Sequence, residues 1–138
     1  MCPSLPSENF SSGIPLQEEG GVLVVPVLIN DAIPLKFTID SGAADVSIPA
    51  DVFLTLMRAG TVDKSDFIGS RTYELADGST VPSPIFRIRT LKIDNLEAEN
   101  VTASIGDVKS ELLLGQSFLK HFQSWSIDNS RQVLVLNQ

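Results

Sequence analysis

One short run of residues in this chain combines a carboxylate, a hydroxyl and a glycine at the end of an apolar segment. The triplet Asp40-Ser41-Gly42 directly follows the strand-like residues 37–39. An aspartate presented where a buried strand stops can act as a general acid or base. Gly42 permits a tight turn and the close approach of another segment, and Ser41 can form a local hydrogen bond that orients the carboxylate. We therefore predict that Asp40 is one half of a catalytic carboxylate pair.

The triplet alone is weak evidence for catalysis. From average composition, Asp-Ser/Thr-Gly is expected by chance in about one chain of this length in twenty. A solvated aspartate that merely caps a turn is the simpler interpretation. Two features of its context favour catalysis: the triplet follows a clean apolar strand, and a second apolar segment ending in glycine, Leu112-Leu113-Leu114-Gly115, comes later in the chain.

Composition and charge argue against several classes of function. A formal charge of −7 is unsuited to a nucleic-acid or anionic-membrane partner, since either requires a basic patch. His121 is the only histidine and Cys2 the only cysteine, so a zinc site of the usual kind lacks ligands and no internal disulfide can form. We accordingly expect neither a metal nor a cofactor.

The sequence contains no run of about 18 apolar residues, so we predict no membrane-spanning segment. The first 21 residues lack the basic region and apolar stretch of a secretory signal. We expect a soluble protein, cytoplasmic by default, although the sequence does not establish its compartment.

Hydrophobic periodicity predicts one mostly β domain over residues 21–138, preceded by a flexible arm or linker over residues 1–20 that is rich in proline, serine and glycine. Helices are predicted at residues 50–59 and 116–122, and an exposed polar turn at residues 61–66. Strands are predicted at residues 22–29, 34–40, 45–49, 71–76, 80–89, 91–93, 96–105, 111–115, 125–127 and 132–136. Many short strands joined by hairpins favour a closed, barrel-like β domain.

The order and spacing of these motifs resemble those of the retropepsins, the single-lobe aspartic proteases of retroviruses and their cellular and bacterial relatives. Asp40-Ser41-Gly42-Ala43 stands where that family has its catalytic triplet and the following alanine. The hairpin around Asp77-Gly78 falls where the family has its mobile flap. Leu113-Leu114-Gly115 matches the hydrophobic-hydrophobic-glycine element that supports the catalytic loop. The similarity covers about residues 22–136 and is greatest, toward its end, to cellular and bacterial members.

The resemblance implies a retropepsin-like fold, one lobe per chain, and a role for each matching residue. Asp40 would be catalytic. The residues that would orient or support the catalytic loop are Ser41, Gly42, Leu114 and Gly115. The residues that would bind an extended peptide are Ala43, Ala44, Asp45, Ala76, Asp77, Gly78 and Ser79.

The chain also departs from the family pattern. Retroviral members commonly have two acidic residues after the alanine, whereas here Ala44 precedes Asp45, which leaves Asp45 as the only acidic candidate for holding the substrate backbone. They often have arginine after the second glycine, where this chain has Gln116, so an inter-subunit ion pair at that position is not expected. The amino-terminal arm is longer, so different strands could seal the dimer.

The chemistry of this family requires two carboxylates, one to take a proton from water and one to donate a proton to the scissile carbonyl. This chain has a single triplet at the end of an apolar strand, because Asp77-Gly78 is better explained as a turn tip. The second carboxylate must come from another copy. We predict a two-fold homodimer in which Asp40 faces its symmetry mate and which cleaves extended peptide or protein substrates.

Two alternatives remain open from the sequence. The chain could be a catalytically silent dimerisation or peptide-binding module that keeps the same fold. Gly115-Gln116-Ser117 also begins like a serine-hydrolase elbow, but position 119 is not glycine and His121 is only four residues beyond the serine. A helix-end histidine is the simpler interpretation.

Overall fold

The computed structural model describes residues 13–74 and 76–138. In these residues β-strands predominate, with two short α-helices and one 3₁₀ turn at Lys64–Asp66. The strands are β1 (Ile14–Pro15), β2 (Gln17–Glu19), β3 (Val22–Ile29), β4 (Ile33–Ile39), β5 (Val46–Pro49), β6 (Phe67–Glu74), β7 (Thr80–Ile93), β8 (Leu96–Gly106), β9 (Leu113–Leu114), β10 (Ser124–Asp128) and β11 (Val133–Asn137). The helices are α1 (Ala50–Arg58) and α2 (Gln116–Leu119).

The larger sheet has the strand order β2-β3-β4-β9-β5-β8-β7-β6, and most of its ladders are antiparallel hairpins. A further pairing of β3 with β7, at Leu28–Lys92 and Ile29–Leu91, joins the sheet back on itself. Two ladders are parallel, β4 with β9 and β5 with β8. A smaller sheet of order β1-β11-β10 packs its apolar side chains into the same core. This architecture confirms the predicted mostly β fold.

The core forms because the long strands alternate in burial. Along β7 the side chains of Phe86, Ile88, Leu91 and Ile93 are fully buried, and the residues between them are more exposed. The apolar face of α1 contributes Phe53, whose ring lies 4.9 Å from that of Phe86, centroid to centroid. Burial of large apolar side chains at this density is the main stabilising term for a domain of this size.

The β3–β4 hairpin follows its sequence signals closely. Three residues separate the paired Ile29 and Ile33. Asn30 and Asp31 both have left-handed backbone angles, with φ of 51° and 57°, and the Ala32 N–H donates to the Ile29 carbonyl at 2.9 Å, so the two residues are the centre of a β-turn with the twist that hairpins favour. Pro26 lies within β3, and a proline in a strand is confined to an edge or a bulge. It pairs with Lys36 on one side, while the ladders of β2 and β7 leave it unpaired on the other, so its missing N–H costs no sheet hydrogen bond.

The predicted flexible arm is wrong over its last residues. Ile14–Pro15 pairs with β11 and Gln17–Glu19 pairs with β3, so ordered β structure begins well before residue 21. Ile14 and Leu16 are buried in the core, and this burial provides the stabilisation that a proline- and glycine-rich composition does not suggest. Residues 1–12 lie outside the described part of the chain.

The predicted exposed turn at residues 61–66 is wrong in part, because only residues 63–65 are exposed. Thr61, Val62 and Asp66 are buried, and Asp66 closes a capping box with Asp63 around the 3₁₀ turn. The Asp66 carboxylate also lies 3.5 Å from the guanidinium of Arg87 and 3.5 Å from that of Arg89 on β7. The polar composition of residues 61–66 suggests exposure, but the Asp66 carboxylate can be buried because two arginines of β7 pair with it.

Two other elements are shorter than predicted. The strand expected at residues 111–115 is only Leu113–Leu114, and the helix expected at residues 116–122 ends as α-helix at Leu119 and continues as turns. No helix in the described residues is long and apolar enough to cross a membrane.

Candidate active site

Asp40 lies where two parallel strands end side by side. β4 pairs with β9 through Thr38–Leu113 and Ile39–Leu114, and the Asp40 N–H donates to the Leu114 carbonyl at 3.1 Å. The ladder therefore holds the Asp40 backbone while the chain beyond it turns away. Asp40 is half-buried, whereas Ile39 before it packs against the core. A strand end of this kind fixes a carboxylate in position without enclosing it.

The Asp40 carboxylate is oriented by the turn that follows it. Its Oδ1 accepts a hydrogen bond of 2.9 Å from the Gly42 N–H, and its carbonyl accepts one of 3.2 Å from the Ala43 N–H. A Cβ on Gly42 would lie 3.3 Å from Oδ1, so a larger residue would push the carboxylate away by a few tenths of an ångström. The turn thus positions one oxygen by a backbone donor.

The loop from Asp40 to Asp45, which we call the catalytic loop after its predicted role, rests on the segment that begins at Gly115. The Gln116 N–H donates to the Ala43 carbonyl at 2.8 Å, and the Ser117 N–H donates to the Ala44 carbonyl at 2.9 Å. A Cβ on Gly115 would lie 2.6 Å from the Ala43 carbonyl oxygen, so the loop can lie this close only against glycine. The structure thus brings the predicted support residues against the catalytic loop.

Asp45 is buried and connects the catalytic loop to β6. Its Oδ2 lies 3.0 Å from Arg71 Nη1 and accepts a hydrogen bond of 2.8 Å from the Tyr73 hydroxyl. Burial raises the pKa of Tyr73, and the hydrogen bond to the Asp45 carboxylate raises it further. Asp45 had been predicted to hold the substrate backbone, whereas in this structure its carboxylate already binds two side chains of the same chain.

A cavity of about 650 Å³ opens beside the catalytic loop, and we call it the loop cavity. Its walls are the loop itself, the β6–β7 hairpin stem, β5 and the end of β8. The lining residues are Gly42, Ala43, Ala44, Asp45, Ser47, Tyr73, Val81, Pro82, Ser83, Ser104, Ile105, Gly106, Asp107 and Leu113. Asp40 itself is not one of the lining residues; the cavity begins two residues beyond it, at Gly42. A largely apolar concavity of this kind can hold an extended chain and bury its side chains.

Comparison with known proteins identifies the family. A family model described as "gag-polyprotein putative aspartyl protease" matches residues 25–121, more than two thirds of the chain. The chain belongs to this family. The matched range contains both Asp40 and the supporting glycine at position 115.

A solved structure supports the fold of this aspartyl protease family member. The chain is similar to a retropepsin-like aspartic protease from Rickettsia conorii, with a TM-score of 0.64 and 22% sequence identity, over 87% of this chain and 84% of that one. This confirms the predicted retropepsin-like fold. No curated protein matches the sequence.

The tip of the β6–β7 hairpin stands apart from the loop cavity of this family member. Its residues Ala76, Asp77, Gly78 and Ser79 are exposed, and none of the four lines the cavity. The Ser79 hydroxyl and N–H both donate to Asp77 Oδ1, which lowers the pKa of that carboxyl group, and Gly78 has a left-handed φ of 87°. Leu75 lies outside the described residues. In this conformation the hairpin faces the loop through Tyr73 of its stem and not through its tip.

Ser41 and Gln116 interact in a way that the sequence did not suggest. Ser41 is exposed, and its carbonyl accepts a hydrogen bond of 2.7 Å from Gln116 Nε2. The observed hydrogen bond to the Asp40 carboxylate comes from Gly42 and not from the Ser41 hydroxyl. Retroviral members often have arginine where this chain has Gln116. Here the Gln116 amide instead holds the catalytic loop of its own chain.

The serine-hydrolase interpretation of Ser117 does not fit the geometry. The Ser117 hydroxyl accepts from the Val46 N–H at 2.9 Å and donates to the Thr102 carbonyl at 2.6 Å. His121 is exposed and its N–H donates to the Phe118 carbonyl. A hydroxyl engaged with two backbone groups joins the loop to β8, so its role here is structural.

Proposed function

We propose that this chain is one subunit of a homodimeric aspartic endopeptidase whose two Asp40 carboxylates meet across the two-fold axis. The observation that carries the proposal is the Asp40 carboxylate, which stands at a strand end in a member of an aspartyl protease family and is held by the Gly42 N–H at 2.9 Å. The loop contains one such carboxylate, and acid–base hydrolysis requires two. A second copy is the direct way to supply the other.

In the proposed reaction the two carboxylates share one proton, because two like charges at close range do not both ionise. The ionised carboxylate takes a proton from a water molecule as the water oxygen attacks the scissile carbonyl carbon. The protonated carboxylate donates its proton to the carbonyl oxygen. Collapse of the tetrahedral intermediate breaks the C–N bond and transfers a proton to the leaving nitrogen, which leaves a new carboxyl group and a new amine.

The substrate is proposed to be an extended peptide that adds as a strand beside the catalytic loop. Backbone hydrogen bonds would provide affinity, and the loop cavity would accept alternate side chains. The loop residues Ala43 and Ala44 line this cavity directly. Asp45 would act mainly by holding Arg71 and Tyr73 in place.

The β6–β7 hairpin is proposed to act as a flap over the bound peptide. Closure would bring the tip, around Asp77 and Gly78, toward the catalytic loop and exclude water from the reaction. The left-handed φ of Gly78 supports this proposal, because a flexible turn at the tip lets the two strands move together.

The direct experiment is hydrolysis of a denatured protein at mildly acidic pH. Activity is expected to be abolished by Asp40→Asn and by pepstatin-type hydroxyl isosteres, which occupy the site of the tetrahedral intermediate. Asp94→Asn is the matched control, because Asp94 is an exposed turn residue with a left-handed φ of 55° that asparagine tolerates.

Full hydrolysis by the Asp40→Asn variant would refute the proposed role of Asp40. A well-folded dimer that binds denatured protein without cutting it would instead support the silent-module alternative.

A further inference from the structure

A second cavity, of about 530 Å³, lies next to the loop cavity, and we call it the basic cavity. Ala44 and Asp45 line both cavities, so the two adjoin at the end of the catalytic loop. The residues that line the basic cavity but not the loop cavity are Arg71, Asn100, Thr102, Gln116, Ser117, Lys120 and His121.

The basic cavity has an excess of positive charge although the chain carries a net charge of −7. Asp45 is the one carboxylate among its lining residues, and Arg71 already neutralises it at 3.0 Å. Lys120 is exposed, and within the described residues no carboxylate oxygen lies within 4.0 Å of its ammonium group. The charge that remains for a ligand is therefore that of Lys120.

Two residues of β6 connect this cavity to the loop cavity. Arg71 and Tyr73 are two positions apart, so their side chains leave the strand on one face. Both contact Asp45 Oδ2, yet Tyr73 lines the loop cavity and Arg71 lines the basic cavity. A strand-like ligand that occupies the loop cavity and continues past Asp45 reaches the basic cavity next.

We propose that the basic cavity is a distal specificity site that binds an acidic side chain, Asp or Glu, of the peptide substrate. The proposal rests on the proposed peptidase function. Lys120 forms the ion pair with the substrate carboxylate, and Asn100 and His121 offer further hydrogen-bond donors. Because each subunit contributes one such cavity, the preference applies on both sides of the scissile bond, several residues away from it.

The first test maps cleavage sites by mass spectrometry in a denatured bacterial lysate treated with the full-length protein. The best substrate is then synthesised as a Glu and Gln pair at the enriched position. We expect kcat/KM to be about twofold to fivefold higher for the Glu peptide, as for an exposed ion pair. Lys120→Gln should bring this ratio to about one.

Lys64→Gln is the matched control, because Lys64 is exposed on the 3₁₀ turn and lines neither cavity. This variant should keep the ratio of the unmodified protein. Equal kcat/KM for the two peptides, or a ratio unchanged by Lys120→Gln, would overturn the proposal.

A second measurement separates failure of the site from failure of the peptidase function. The ¹⁵N-labelled protein is titrated with N-acetylglutamate amide or N-acetylglutamine amide at roughly millimolar concentration. Amide shifts around residues 116–121 should be larger for the glutamate probe, and Lys120→Gln should remove the difference. If no substrate is cut but this difference appears, the site stands and the peptidase proposal fails. Equal shifts would refute the acidic site whatever the activity.

Discussion

At the scale of single residues, the position of the Asp40 carboxylate is determined by backbone groups. Its own N–H is bound by β9, its Oδ1 is bound by the Gly42 N–H, and the loop beyond it is bound by the backbone that follows Gly115. Backbone donors cannot change rotamer, so they hold a reacting group more rigidly than side chains do. A side chain does contribute through Gln116, whose amide reaches the carbonyl of Ser41.

Replacement of Gln116 tests this side-chain contribution. Gln116→Ala removes the 2.7 Å bond to the Ser41 carbonyl but keeps the backbone bond to Ala43. We expect a loss of about 0.5–1.5 kcal/mol in the free energy of unfolding, measured by urea titration. We also expect kcat to fall about threefold to tenfold with little change in KM, because the catalytic loop is less well held.

Conservative replacements at the same position make that test specific. Gln116→Arg retains a donor toward Ser41 and should recover most of kcat, whereas Gln116→Glu presents an acceptor to the carbonyl and should be worse than alanine. If all three variants keep the kcat of the unmodified protein, Gln116 does not position the loop.

At the scale of elements, the β6–β7 hairpin is attached to the catalytic loop at one point. Arg71 and Tyr73 both reach Asp45, and no residue of the described hairpin tip, 76–79, lines the loop cavity. The hairpin is therefore attached to the loop through its stem, and its exposed tip stands away from the loop cavity, as the proposed flap requires of its open position.

Loss of the Tyr73 hydroxyl should weaken this anchor. Tyr73→Phe removes the 2.8 Å hydrogen bond to the buried Asp45 carboxylate but keeps the ring, and we expect about 1–2 kcal/mol lower stability. Amide hydrogen exchange of β6 should become faster and KM should rise. Unchanged exchange in β6 would show that the anchor lies elsewhere, and Thr72→Val, at a neighbouring exposed position, is the control.

The β10–β11 turn predicts a dependence of stability on pH. The Arg131 guanidinium, followed by Ser130, holds the pKa of Asp128 down at about 2, against an ordinary value of 3.8. The stabilisation from this carboxylate is therefore present above about pH 4 and is lost as the pH falls through about 2. Asp128→Asn should lower Tm at pH 7, and the difference in Tm between the variant and the unmodified protein should shrink steadily below pH 4. A constant difference over that range would contradict this assignment.

At the scale of the whole molecule, local sequence signals predict most elements, because the residues within or next to each element determine where it begins and ends. The turn at Asn30 and Asp31, the stop of α1 at Gly60 and the strand end before Asp40 all follow from backbone preferences of nearby residues. The prediction fails where distant partners decide the outcome. Asp66 is buried because β7 supplies arginines, and Asp45 is buried because β6 supplies Arg71.

The candidate site divides in the same way. The place of Asp40 at the end of β4 and the place of Gly115 against the loop could be predicted from the sequence, since both are strand ends marked by short motifs. Three other features could not be predicted, because each joins segments far apart in the chain. They are the contact of Asp45 with β6, the hydrogen bond from the Gln116 amide to the loop, and the basic cavity around Lys120.

The central claim is that a single chain carries half of the catalytic machinery, and mixing subunits tests it directly. Unmodified chain and Asp40→Asn chain are refolded together in equal amounts, so that random pairing leaves only about half of the unmodified chains in dimers with two intact carboxylates. We predict that hydrolysis falls to about half of that given by the same quantity of unmodified chain alone, and falls further as the variant is added in excess. Hydrolysis that stays constant, whatever the excess of variant, would show that each chain is catalytically complete and would contradict the account.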